Sequence, residues 1–128
     1  MSLLDDIGSY LTTNSIVGGA TGWTLRKSVI TPAPDQTVAI LETSSPNIQQ
    51  FSTPTGELNF QVLIRGAKHE YDTARTKAEG IFSSLNQATI SGYVYVFALT
   101  SAPIPLGYDN NLRPMLSWNF KARADLPS

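Results

Sequence analysis

The chain has 128 residues, enough for one core, with 41% hydrophobic residues to fill it and only 15% charged ones, a balance that leans towards an assembled state. Nine basic and ten acidic residues give a formal net charge of -1, which excludes the cationic footprint of a protein that grips nucleic acid. With no cysteine and a single histidine, disulfide frameworks, thiolate nucleophiles and cysteine-ligated zinc sites are excluded too.

The opening MSLLDDIGSYL carries two aspartates and no basic region, and no apolar run reaches the roughly 18 to 20 residues of a membrane span, so a soluble, unprocessed chain without membrane partners is expected. Leu3, Leu4, Ile7 and Leu11 recur at helical spacing with Asp5 and Asp6 in the early turns, which predicts a helix over about residues 2 to 13. Asn14 and the glycines of NSIVGGATG break that pattern. VGGATG lacks the Walker lysine and the dinucleotide-binding spacing, and reads as a flexible connection. WTLRKSVI then alternates as a short strand, TPAPD turns, and QTVAILET reads as a second strand rich in β-branched residues.

Residues 44 to 58 show neither period and form a long connection of the kind that is usually functional or disordered. From Asn59 to Arg65 the alternation is clean, with Phe60, Val62 and Ile64 on one side. Tyr71, Ala74, Ala78, Ile81, Phe82 and Leu85 form a stripe that only a helix places on one face. Gly80 interrupts that helix at about 1 kcal/mol relative to alanine, a cost that close packing against a sheet would offset. Tyr93 to Leu99 is apolar at nearly every position, as for a strand covered on both faces, whereas MLSWNFKAR alternates and is covered on one. Between them, residues 101 to 114 read as a long hairpin connection with turn chemistry at Asp109, Asn110 and Asn111.

This order predicts a single α+β domain over residues 1 to 128, with a mostly antiparallel sheet of four to five strands and two helices packed on one face. The strand at 93 to 99 then requires cover from outside the chain. Arg65, His69, Glu70 and Asp72 are the one cluster that resembles a catalytic group. Glu70 and Asp72 fall where a first helical turn favours carboxylates, so the cluster reads as a joint between strand and helix. No catalytic residue, cofactor or metal ligand is assigned: DNN lacks the spacing of a calcium loop, and Trp23 and Trp118 read as core aromatics.

Three stretches, PDQTVAILETSSPN, FQVLIRGAKHEYDTARTKAEGIFSSLN and PIPLGYDNNLRPMLSWNFKAR, together resemble the tail-terminator or minor capsid proteins of long-tailed bacteriophages. The matching features are Pro34, Asp35 and Glu42, then Arg65, Gly66 and Tyr71, then Leu106, Gly107 and Asp109, with Asn119 and Phe120 in the last strand. The chain departs from the family pattern at Ser44 and Ser45, where glycines are expected. The resemblance implies a structural virion protein without enzymatic activity, assembled in the host cytoplasm and found at the tail top or neck. It would form a homo-oligomeric ring, a hexamer, that caps the tail tube, meets the head connector or stopper protein and lets double-stranded DNA pass without specific binding. Glu42, Glu57, Asp109 and Arg113, in or beside the turn-rich segments, are the candidate subunit or partner contacts. The alternatives are a head-completion or connector-stopper neck protein, and a small α+β ligand-binding domain or hydrolase using His69 with Asp72 or Glu70.

Overall fold

The computed structural model describes residues 3–18, 21–43, 57–90 and 93–124. Two helices, α1 (Leu3–Thr13) and α2 (Tyr71–Leu85), pack on a sheet of six strands: β1 (Thr24–Lys27), β2 (Thr37–Thr43), β3 (Glu57–Arg65), β4 (Tyr93–Ala98), β5 (Ile104–Tyr108) and β6 (Pro114–Ala124). The strand order is β1-β2-β3-β6-β4, with β5 also paired to β6. β1 and β2 run parallel and every other pair is antiparallel, so the domain is α+β with a mixed, mostly antiparallel sheet. The sheet has one strand more than the upper end of the expected range. β5 escapes the sequence pattern because Pro105 and Gly107 are poor strand residues, tolerated here at an edge where the register shifts and Gly107 adopts φ 87°.

The core follows from the alternation. Phe60, Val62 and Ile64 on β3, Leu116, Trp118 and Phe120 on β6, and Val38 and Ile40 on β2 are fully or almost fully buried beneath the helices. Phe60 and Phe120 are register partners, and their rings stack at 5.2 Å. From above, α1 sends down Leu4, Ile7 and Leu11, and α2 sends down Ala74, Ala78, Ile81 and Leu85. The two alanines let α2 sit close enough for the Trp118 indole N–H to donate to the Ala78 carbonyl at 2.8 Å, which satisfies the one polar atom of that large side chain. Phe82 stacks on the same indole at 5.0 Å.

One expectation needs correction. Gly80 is not packed against the sheet, for a Cβ built there meets nothing within 4 Å. In line with a strand that needs cover from outside the chain, β4 is covered by its own chain on one side only: Val96 is buried towards the helices, while Tyr95 and Phe97 lie half-buried on the other side with their rings 5.1 Å apart. The reason is position, because β4 is an edge strand and a register shift between Tyr93 and Tyr95 bends its start. The chain closes the outer edge of β4 by another route. Just past α2, the Gln87 N–H donates to the Val96 carbonyl at 2.7 Å and the Asn86 side-chain oxygen accepts from the Ala98 N–H at 2.9 Å.

Candidate functional site

The strand-to-helix joint comes first, because the sequence sets its charged cluster there. Arg65 ends β3 almost fully buried and points away from His69: its guanidinium donates to the Pro34 and Asp35 carbonyls, at 2.6 and 3.1 Å, and to the Thr37 hydroxyl at 3.3 Å. Burial and the like charge of Arg113 lower its pKa, against the pull of Asp109 and Asp35. Gly66 follows because nothing larger fits: a Cβ would lie 2.9 Å from that of Ala74 and 3.1 Å from the Glu70 carbonyl. His69 takes φ 63° and its N–H donates to Leu112, which ties the joint to the last hairpin. The side chains of His69, Glu70 and Asp72 are all exposed, without the enclosure that a general acid or base needs. Among the described residues no group of three or more His, Asp or Glu side chains is placed to hold a metal ion.

Asp109 and Arg113 are brought together. The Asp109 carboxylate accepts from the backbone N–H of Asn111 and Arg113 and, at 2.8 Å, from the Arg113 guanidinium. That guanidinium, only 7% exposed, also reaches Asp35 at 3.1 Å and the Pro32 carbonyl at 2.6 Å. Burial of the Asp109 carboxyl works to raise its pKa, but the N–H groups and the guanidinium outweigh it and hold the group below its usual value. The two residues thus fasten the hairpin of β5 and β6 to the loop before β2, rather than projecting from the surface. What projects is apolar: Leu106, Tyr108 and Leu112 are 50%, 54% and 46% exposed. Asp35 and Arg65 complete this clamp, and sequence reading left both out of the candidate contacts. The signal was present in the Pro34-Asp35 and Arg65-Gly66 pairs, but their meeting is fixed by the pairing of β2 with β3.

Glu42 and Glu57 lie at the opposite end of the sheet. Glu42 is exposed on β2 in register with Phe60, on the helix side. Glu57 opens β3 in register with Arg123, and the placement of its side chain lies outside the described part. The long connection expected over residues 44 to 58 gives β3 its first two residues, and its positions 44–56 lie outside the described residues. Nearby, the Tyr93 hydroxyl donates to Asp6 at 2.7 Å. Burial, that hydrogen bond and the charges of Asp6 and Glu42 all raise the phenol's pKa. An open groove of about 520 Å³ runs between α2 and the segment before β1, lined by Trp23, Thr73, Thr76, Lys77 and Gly80 among others. Lys77 spans it, with its ammonium 5.5 Å above the Trp23 ring and 2.8 Å from the Ile16 carbonyl, and burial lowers its pKa. The groove brings no convergent nucleophile or base together. No helix among the described residues is long and apolar enough to cross a membrane.

A family model described as bacteriophage tail terminator protein matches residues 4–126. Among solved structures, the chain is similar to one from the virion of a native gene transfer agent particle, with a TM-score of 0.66 and 16% identity over 96% of this chain and 94% of that one. At that identity the likeness is one of fold. No curated protein matches the chain.

Proposed function

The chain belongs to the bacteriophage tail terminator protein family, a family of structural tail proteins of the virion, and from that premise we propose that it forms a homo-oligomeric ring, a hexamer, that caps the tail tube and joins it to the head connector. The match over residues 4–126 carries this reading, since it takes in every element of the fold but the first residue of α1. The open side of the sheet supports it: Tyr95 and Phe97 on β4 and Leu63 on β3 lie half-buried with no helix above them, and neighbouring copies would cover them. The near-neutral chain suits a conduit through which DNA slides without specific binding, because a lumen dense in lysine and arginine would retain phosphates. The role is structural rather than catalytic.

The candidate contacts divide by sheet end. Glu42 and Glu57 would touch a neighbour directly, whereas Asp109 and Arg113 would act by setting the hairpin that presents Leu106, Tyr108 and Leu112. Electron microscopy of the purified chain mixed with tail tubes tests the proposal. A ring seated on one end of each tube is the expected image; tubes left bare, or a ring bound only to the head connector, would overturn it.

A further inference from the structure

Two features of the fold gain nothing within one copy. Gly80 costs α2 about 1 kcal/mol relative to alanine, yet a Cβ built there meets nothing within 4 Å. It lines the open groove of about 520 Å³ together with Trp23, Thr73 and Thr76, so its missing side chain leaves room for a body from outside. On the hairpin, Leu106 and Tyr108 flank Gly107 on β5 and, with Leu112, are each about half exposed. The Asp109 and Arg113 pair at 2.8 Å braces this projection, and a braced projection gives up little freedom when it docks. The strand register sets hollow and projection at one height. Thr24, next to Trp23, pairs with Thr37, Thr37 with Arg65, Arg65 with Met115 and Met115 with Gly107. That row crosses the sheet from β1 at one margin to β5 at the other, four strand spacings or about 19 Å. A copy cannot fill its own groove, because α2 stands between: Thr73, Thr76 and Gly80 line the groove, while Arg75, Glu79 and Phe82 face the segment at 101–103 that leads into β5.

We infer that the hairpin of one copy, through Leu106, Tyr108 and Leu112, seats in the Gly80 groove of the next copy. This rests on the ring reading above and names its two surfaces. A hollow on one flank and a projection at the same level on the other form a heterologous pair, which closes into a ring when repeated at a fixed rotation. Area favours copies in a ring over an isolated pair. The three side chains open on the order of 300 Å² of apolar surface, the lower end for a functional patch, against about 800 Å² from each partner in a stable pair. β4 continues the β5 margin along β6, and its half-buried Tyr95 and Phe97 extend the contact. Closure then gives every copy two such contacts, where a pair would have one.

The test uses variants of the full chain, with native mass spectrometry for assembly and melting temperature for the fold. Gly80→Leu fills the groove floor without touching the rest of its own chain, so it should keep or raise the melting temperature while losing at least about tenfold of the ring fraction. Leu106→Ser with Tyr108→Ser, both at exposed positions, should lose the ring to a similar degree with its cooperative thermal transition kept. Because the chain has no cysteine, a second readout is clean. Thr76→Cys together with Tyr108→Cys, oxidised with copper phenanthroline, should give a ladder of covalent multimers on a denaturing gel, whereas either cysteine alone should leave single chains, since a head-to-tail contact sets the two different positions side by side. A Gly80→Leu chain that forms rings as wild type does, or single-cysteine chains that join as readily as the pair, would overturn the contact while leaving the ring reading in place. A wild-type chain that remains monomeric even beside tail tubes would remove the ring reading itself.

Discussion

Arg113 ties three parts of the structure together, since its one guanidinium binds the Asp109 turn, the Asp35 carboxylate and the Pro32 carbonyl. Arg113→Met should cost about 2 kcal/mol in denaturant unfolding, less than the ~3–5 of a fully enclosed pair, because both carboxylates can turn to water. Asp109 gives that loss a pH signature. Its folded pKa lies below the unfolded value of about 3.9, so its stabilisation is complete above that value and is lost as the pH falls through the folded one. Asp109→Asn should therefore flatten the acid limb of the thermal stability curve, lowering the melting temperature by its full amount at neutral and alkaline pH and changing little at a pH below the folded pKa. Gly66→Ala should cost about 1–3 kcal/mol because the new methyl meets Ala74 at 2.9 Å, and Ala74→Gly in the same chain should return part of it, read by the shift in melting temperature. The asparagine-rich turn after Asp109 was legible from local chemistry. The partner of Arg113 was not, because Asp35 stands 78 positions away and nothing local marks it.

α2, β3 and β6 were legible in the sequence because each buries one clean face, and period alone separates a helix from a strand there. β5 was not, since its sheet pairing overrides the poor propensity of Pro105 and Gly107. The apolar run of β4 was read as covered on both sides, one of them from outside the chain, and the structure leaves that side half open; its place at the sheet edge was not legible from composition. Gly80 shows the same limit. A helical glycine can mark close packing or mere vacancy, and here the space above it is empty. Gly80→Ala should raise the stability of the isolated chain by about 1 kcal/mol, measured by denaturant unfolding. Asn86→Ala should expose the Ala98 N–H, cost about 1 kcal/mol and speed hydrogen exchange at residues 96 to 98 before any other part of the sheet.

At the scale of the molecule, the layer of two helices on one sheet face followed directly from the alternation, and the family from three short stretches in their order. The sheet margins add a separate constraint. β1 is four residues long and Arg26 folds back on the Leu25 carbonyl, β4 is stitched to the end of α2, and β5 carries a proline and a bulge. Among the described residues, copies of this chain thus find no long, regular edge as a template for strand-by-strand growth. Even crowded together they cannot zip into an endless ribbon, and their number in any assembly is left to the fixed angle at which one surface lies on another.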